Sequence, residues 1–236
     1  LIAAQGSGIV ALNAATGTAI WQQTLDLPRA SAPALTVANG SVYAVAYAGY
    51  STLHLSATDL RTGAPRWSVP LPQGAPAQYA AQPLVVGDMI FVPVVVNDGH
   101  GMAADSVDAF DAATGQSRWQ SSLAGAPIDL AFARGTLIVH AIDDGVSLLD
   151  VGQTIRPISI HVTLTGLNPA TGAQVWLFAT SVFTTSVPLV TFAFTALTLA
   201  GDDVWMTANG LAQSGIYQVS VASGATAAPR LVRHAL

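Results

Sequence analysis

The stretch Ala109-Phe-Asp-Ala-Ala-Thr-Gly-Gln-Ser-Arg-Trp119 recurs along the chain and decides its fold. Counted from the Gly of the Thr-Gly pair, an Asp or Asn lies four residues before it and a Trp lies four residues after it. Four copies keep all of these positions: Asn13/Thr16/Gly17/Trp21, Asp59/Thr62/Gly63/Trp67, Asp111/Thr114/Gly115/Trp119 and Asn168/Thr171/Gly172/Trp176. A fifth copy keeps the turn at Ser220, Ser223 and Gly224 but has Ala228 in place of the Trp. Such self-similarity indicates an array of like supersecondary units.

Each copy has the chemistry of a tight turn between two strands. An Asp or Asn side chain can accept a hydrogen bond from the backbone N–H two residues on, and Gly adopts a positive φ at low cost. Apolar and β-branched runs flank the turn, as at Gly8–Leu12 and Ala19–Trp21. The unit is therefore predicted to be a β-hairpin with a loop of about four to five residues. Because a single hairpin cannot bury a Trp, each indole is expected to pack against a neighbouring unit.

A second repeated pattern precedes each of the later turns. It consists of an apolar run, a turn with Gly and another apolar run, and it occurs at Ala34–Tyr43, Pro83–Phe91, Leu130–Ile138 and Ala196–Trp205. A full unit is thus predicted to have four strands, with the Trp on the outermost one. The glycines of the turns, at positions 17, 63, 115, 172 and 224, are 46 to 57 residues apart. This spacing suits the four-stranded blade of a β-propeller.

The hairpin resembles the repeat of the pyrroloquinoline-quinone-like (PQQ-like) β-propellers, whose consensus is Ala-Leu-Asp-x-x-Thr-Gly-x-x-x-Trp. The residues that carry the resemblance are Ala11-Leu12-Asn13, Ala57-Thr58-Asp59, Ala109-Phe110-Asp111 and Gly166-Leu167-Asn168, each with its Thr-Gly and Trp. The resemblance implies an all-β fold with four-stranded antiparallel blades, about five of them in this chain. Residues 1–236 are predicted to form a single domain of this family, with a partial first blade at 1–26 and further blades at about 31–71, 80–124, 127–180 and 187–233.

The number of blades departs from the family pattern. Propellers of the family usually have seven or eight blades, whereas here five turn hairpins follow only four preceding hairpins. Either a ring of five closes with a deficient first blade, or the chain is part of a larger ring of seven or eight blades, or two chains complete one another. We favour a part of a larger ring, because an open propeller leaves a bare strand edge that is normally covered or paired.

Composition excludes several classes of protein. The chain is 51% hydrophobic and only 9% charged, with Arg as its only basic residue besides His and Asp as its only acidic one. A net charge of −5 without a basic cluster argues against binding of nucleic acid. The absence of Cys excludes disulfides and cysteine metal sites. The apolar stretch Val187–Ala200 is too short to span a bilayer as a helix, so no transmembrane segment is predicted.

Candidate sites are sparse. The run Gly6–Ala11 mimics the dinucleotide fingerprint G-x-G-x-x-A, but the repeat places a strand where that motif needs a helix. In the polar loop at 97–105, Asp98, His100 and Asp105 could supply oxygen and nitrogen ligands to a divalent ion. Their spacing matches no recognised metal motif, so a solvated loop is the simpler interpretation. We predict no catalytic and no cofactor-binding residue.

The resemblance implies three kinds of function. The family includes quinoprotein dehydrogenases, the lipoprotein of the outer-membrane barrel-assembly machinery, and extracellular sensor domains of bacterial Ser/Thr kinases. The dehydrogenases resemble one another in a pair of adjacent cysteines over the quinone, which this chain lacks. We therefore expect a non-catalytic bacterial scaffold, periplasmic, cell-surface or secreted, that binds a protein or another ligand through its loops. A quinoprotein dehydrogenase using PQQ and calcium, or a fragment of one, and a kinase sensor domain are the alternatives.

Overall fold

The computed structural model of the chain describes eleven segments: residues 1–5, 8–25, 33–48, 52–71, 77–80, 82–96, 105–143, 158–184, 197–209, 213–226 and 230–233. Within these segments all regular secondary structure is β-strand, arranged in five antiparallel sheets. The prediction of an all-β chain with about five sheets is confirmed.

The first two sheets contain three and four strands, in chain order. The strands of the first sheet are β1 (Ile2–Gln5), β2 (Gly8–Leu12) and β3 (Ala19–Thr24). Those of the second sheet are β4 (Ala34–Ala38), β5 (Ser41–Ala48), β6 (Thr52–Asp59) and β7 (Pro65–Pro70). The outermost strands, β3 and β7, carry the Trp of the repeat, as the sequence predicts.

The third sheet has an interrupted inner edge, because two short strands pair one after the other with the same neighbour. Its strands are β8 (Ala77–Ala80), β9 (Leu84–Val86), β10 (Met89–Val96), β11 (Ser106–Asp111) and β12 (Ser117–Ser122). The fourth sheet consists of β13 (Ala126–Ala133), β14 (Thr136–Asp143), β15 (Ile158–Leu167) and β16 (Gln174–Thr184). The fifth consists of β17 (Thr198–Ala200), β18 (Asp203–Asn209), β19 (Gln213–Ser220) and β20 (Arg230–Arg233).

By their internal contacts the residues divide into two compact units. The first comprises Leu1–Asp98 with Val107–Gln120, and the second comprises Gly99–Ser106 with Ser121–Leu236. The assignment of residues 1–236 to a single domain, with the blade boundaries given above, stays a prediction.

The core of each unit lies between successive sheets. In the first unit, Leu55 of the second sheet and Phe110 of the third belong to one buried apolar cluster. In the second unit, Leu164 and Met206 do the same for the fourth and fifth sheets. Strands covered on both faces are buried along most of their length, whereas the outermost strands alternate between half-buried and exposed residues. The indole positions on those outer strands therefore depend on contact with the next sheet.

Candidate functional site

The turn before each outermost strand is closed around the side chain of its Asp or Asn. Asp59 Oδ1 accepts hydrogen bonds from the N–H groups of Arg61 at 3.0 Å and Thr62 at 2.9 Å. The N–H of Gly63 donates to the carbonyl of Asp59 at 2.9 Å, and Gly63 has a φ of 73°. The N–H of Asp59 donates to the carbonyl of Ala64 at 2.8 Å and so closes the loop. The predicted hairpin chemistry is confirmed here, and Asn13 accepts the corresponding N–H bonds in the first sheet.

The turn of the fourth sheet follows the same plan but is buried at its glycine. Gly172 has a φ of 72°, and its N–H donates to the carbonyl of Asn168 at 2.8 Å. Asn168 Oδ1 accepts a hydrogen bond from the N–H of Ala170 at 2.9 Å. Gly172 differs from Gly17, the corresponding residue of the first sheet, because Gly172 is buried and Gly17 is exposed. The sequence predicts the turn at Gly172 but not the burial of this glycine, since both sheets have the same Asn, Thr, Gly and Trp at the motif positions.

In the second and third sheets the turn carboxylate also binds an arginine. Asp59 Oδ2 accepts a hydrogen bond from Arg66 Nη2 at 2.7 Å, and Asp111 Oδ2 accepts one from Arg118 Nη2. Hydrogen bonds from the arginine and from the turn lower the pKa of Asp59, and the same causes lower the pKa of Asp111 to about 2. Both carboxylates are thus ionised at neutral pH and occupied in holding their turns, which is a structural role.

The indole of the first sheet packs on the turn of the second. Trp21 Nε1 donates a hydrogen bond to the carbonyl of Leu60 at 3.0 Å. Its ring covers Gly63 so closely that a Cβ added there would lie 2.7 Å from a ring carbon. The predicted packing of the indole against a neighbouring unit is confirmed, and the turn Gly has a second role that the sequence did not indicate: it leaves room for the ring.

Two further junctions repeat this arrangement. A Cβ at Gly115 would lie 2.7 Å from a ring carbon of Trp67, and one at Gly224 would lie 2.8 Å from a ring carbon of Trp176. Trp176 is only 6% exposed, and its Nε1 donates to the carbonyl of Val221 at 2.8 Å. At these three junctions the Trp of one sheet therefore packs on the turn of the next sheet and joins the two sheets.

This double role of the turn glycine predicts unequal effects for one substitution made at two equivalent positions. Gly17 has a φ of 71° and nothing within 4 Å of an added Cβ, so Gly17→Ala should cost only the left-handed backbone strain of about 1–2 kcal/mol. Gly63→Ala adds overlap with Trp21 and should cost about 1–3 kcal/mol more. Urea unfolding of the two variants measures the difference. Equal losses would show that the indole does not require the bare backbone.

The candidate metal ligands are only partly visible. Asp98 and His100 lie outside the described residues, and Asp105 is 4% exposed just before β11. Among the residues that the structure describes, no three His, Cys, Asp or Glu side chains lie together as a metal-binding group. The site at Asp98, His100 and Asp105 stays a prediction. The chain has no Cys, and the described residues contain no group of side chains that could hold Ca²⁺ beside a quinone.

A buried imidazole lies in the fourth sheet. His140 on β14 is 0% exposed, and its cross-strand partner on β13 is Asp129. Burial lowers the pKa of His140 to about 4, against the opposing effect of the negative charge on Asp129. The Asp129 carboxylate accepts hydrogen bonds from the N–H groups of Leu130 at 2.9 Å and Leu197 at 2.8 Å. His140 is therefore neutral at pH 7.

A cavity of about 110 Å³ lies in the second unit, on one face of the fourth sheet. Its lining combines hydroxyl groups, one carboxamide and aliphatic groups, and no side chain in it is charged. The lining residues are Ser121, Ser122, Leu123, Ala124, Thr163, Thr165, Leu167, Gln174 and Leu177. Sequence reasoning did not find this cavity.

A comparison with the first unit explains why the cavity exists. Gln23, two residues after Trp21, reaches the next sheet in the first unit, where its Oε1 accepts a hydrogen bond from Thr58 Oγ1 at 2.6 Å. The residue two positions after Trp119 is Ser121, whose side chain is too short to reach as far. The signal that could have revealed the cavity is thus a small residue at a position that holds a longer side chain elsewhere in the repeat.

Comparisons of the sequence with known families and proteins agree with this architecture. The family model described as outer membrane protein assembly factor BamB matches residues 1–127 and again residues 103–227. A comparison with curated protein sequences finds no match. The family match covers nearly the whole chain, as the repeat does.

Solved structures share the fold at low sequence identity. BamB from Moraxella catarrhalis is 19% identical, with a TM-score of 0.57 over 97% of this chain and 63% of that protein. The quinohemoprotein alcohol dehydrogenase ADHIIG from Pseudomonas putida HK5 is 16% identical, with a TM-score of 0.63 over 97% of this chain and 40% of the dehydrogenase. A europium-containing methanol dehydrogenase is 14% identical, with a TM-score of 0.65 over 97% of this chain and 48% of the enzyme. The chain thus spans less than two thirds of each of these proteins, and the similarity confirms the β-propeller fold alone.

Proposed function

Because the chain belongs to the family of the outer membrane protein assembly factor BamB, we propose that it is a non-catalytic β-propeller scaffold that binds a protein through its loops. The family description names the assembly of outer membrane proteins, and on that ground we place the scaffold outside the cytoplasm. None of the described segments forms a helix that is both long and apolar enough to cross a lipid bilayer.

The scaffold proposal is supported by the hydrogen bonds that the polar groups of the repeat make within the protein. Asp59 holds its own turn and Arg66, and Asp111 holds its own turn and Arg118. The Nε1–H group of Trp176 is likewise bonded to the next turn. Side chains bonded in this way stabilise the sheets and their order and are not free to transfer protons or bind a substrate. Binding then falls to the connections between strands, which suits a rigid platform.

Photo-crosslinking in the native cell tests this proposal. A photoreactive amino acid would be placed in the long connections at 97–104 or 144–157, and in matched variants at Thr16 or Thr62 in the hydrogen-bonded turns. We expect a discrete crosslink to one envelope protein from a long connection and none from the turns. Crosslinks from neither set, or fractionation of the chain with the cytoplasm, would contradict the proposal.

A second measurement separates the scaffold from an enzyme of the same fold. The purified chain would be titrated with PQQ in the presence of Ca²⁺ while the absorbance of the quinone and the reduction of an electron-accepting dye by alcohols are recorded. A scaffold is expected to give no saturable change in absorbance and no dye reduction. A saturable change together with dye reduction would favour the dehydrogenase alternative.

A further inference from the structure

The outermost strand of the fourth sheet differs from the other outer strands. β16 runs over 11 residues, Gln-Val-Trp-Leu-Phe-Ala-Thr-Ser-Val-Phe-Thr, and contains no charged residue and no Pro. Among the described strands it pairs with β15 alone, so no described strand covers its other edge. An exposed strand edge presents unpaired N–H and C=O groups that can pair with another chain.

The other outer strands carry features that discourage such pairing. Charged residues and Pro are the usual protection of an edge, and β7 has Arg66 between Pro65 and Pro70. β12 has Arg118, and β20 begins and ends with Arg. β3 is uncharged but has only 6 residues. β16 is thus both the longest outer strand described and one of the two without protection.

The cavity lies beside this unprotected edge. Leu177 of β16 lines it and is 52% exposed, although it is a large aliphatic side chain. An engineered cavity of about 150 Å³ holds one benzene molecule, so 110 Å³ has room for a single aliphatic side chain smaller than that. In strand addition, main-chain hydrogen bonds supply affinity and pockets for alternate side chains supply specificity. Both components occur together on β16.

We propose that an extended, uncharged segment of a partner protein adds to the fourth sheet as a fifth strand along β16 and places one aliphatic side chain in the cavity next to Leu177. This proposal rests on the scaffold function and adds to the loop contacts a second contact with the same partner, along the edge of β16. The partner segment is uncharged because neither β16 nor the cavity lining offers a countercharge.

The second sheet shows how this edge can be blocked without breaking the fold. Pro70 is three residues after Trp67 and pairs with His54, and Ala179 is three residues after Trp176 and pairs with Thr163. The N–H of Leu71 donates to the carbonyl of Leu53 on β6. Because successive N–H groups point to opposite sides of a strand, the N–H missing at Pro70 would face the free edge.

Ala179→Pro should therefore remove an outward N–H from β16 and leave the pairing with β15 intact. Its matched control is Thr24→Pro, which removes the N–H at the same place on β3, three residues after Trp21. Ser121→Gln should fill the cavity, because Gln23 reaches the next sheet from the corresponding position in the first unit. Together these three variants distinguish the contribution of the strand edge to binding from that of the cavity.

The probe is a fluorescein-labelled peptide with the sequence Thr-Val-Thr-Leu-Thr-Val-Thr, and fluorescence anisotropy measures its binding to the whole chain. A peptide with Ala in place of the central Leu reports on the cavity, and one with alternate N-methylated residues reports on the main-chain bonds. We expect the Leu peptide to bind the unmodified chain about tenfold more tightly than the Ala peptide. N-methylation should abolish binding.

Ala179→Pro should weaken binding of the Leu peptide at least about tenfold, Thr24→Pro should leave it unchanged, and Ser121→Gln should remove the preference for Leu over Ala. The proposal is overturned if the two Pro variants behave alike or if the N-methylated peptide binds as well as the unmethylated one. The N-methylated peptide keeps this test valid should Ala179→Pro not fold.

Self-association is measured on the same samples. A dimer that forms in sedimentation experiments with the unmodified chain and disappears in Ala179→Pro would show that β16 pairs with a second copy, which overturns the proposed partner. Absence of the envelope crosslink in the unmodified chain would contradict the scaffold function itself, whereas its loss in Ala179→Pro alone is the result expected for strand addition at β16. A crosslink that persists unchanged in Ala179→Pro would leave the scaffold function in place and refute strand addition at β16.

Discussion

Trp176→Ala is expected to lower the free energy of unfolding by about 3–5 kcal/mol, as large-to-small substitutions of a buried Trp do. Trp176 is 6% exposed, donates from its Nε1 to the carbonyl of Val221 at 2.8 Å and covers Gly224. Truncation opens a cavity between the fourth and fifth sheets, and it leaves the Val221 carbonyl without its donor. Urea unfolding of the whole chain, followed through a spectroscopic signal of the second unit, measures the loss of stability.

The half-buried Trp21 provides the matched comparison, because it makes the same type of bond, to Leu60, in the first unit. Trp21→Ala should cost less than Trp176→Ala, since less of its ring is removed from water. Trp176→Phe keeps most of the packing and should show the smaller loss of about 1–3 kcal/mol expected for a buried acceptor left without its partner. A loss below about 1 kcal/mol for Trp176→Ala would refute the docking role of the indole.

The sequence predicted the fold because the residues that each turn and strand require recur in several copies of the repeat. The Asp or Asn, the Gly and the Trp of the motif each have one local task, and the hydrogen bonds of Asp59 and the φ values of Gly63 and Gly172 follow directly from their chemistry. Four copies at similar spacing then fix the strand order. A strand assignment that is ambiguous in one copy of the repeat is settled by the other copies.

The contacts between sheets could not be predicted in the same way. Nothing in a single repeat shows that the Trp of one sheet covers the Gly of the next, because these residues, Trp21 and Gly63 for example, lie far apart in sequence. The cavity beside β16 remains open because the side chain of Ser121 is too short to fill it. Only the packing of the neighbouring residues reveals this space. The pairing of His140 with Asp129 depends on strand register, which a single repeat does not specify.

Acidification is expected to destabilise the second unit well above the pH at which surface carboxylates titrate, and His140 is the cause. Its pKa is about 4 in the folded chain, below the ordinary value of 6.5 that applies on unfolding. Between these two values the unfolded chain binds more protons than the folded one. Stability is therefore complete above about pH 6.5 and falls as the pH decreases towards 4, by about 3 kcal/mol in all.

His140→Val should remove this pH dependence. Val45 occupies the same place in the second sheet, as the fifth residue of its strand, and is buried there, so the variant installs a side chain that the repeat already accepts. Urea unfolding at several pH values between 7.5 and 4 should give a sloping stability for the unmodified chain and a much flatter one for the variant. An NMR titration of the His140 ring gives the same pKa independently. A midpoint near 6.5, or an unchanged slope in His140→Val, would show that burial of the imidazole does not govern the acid response.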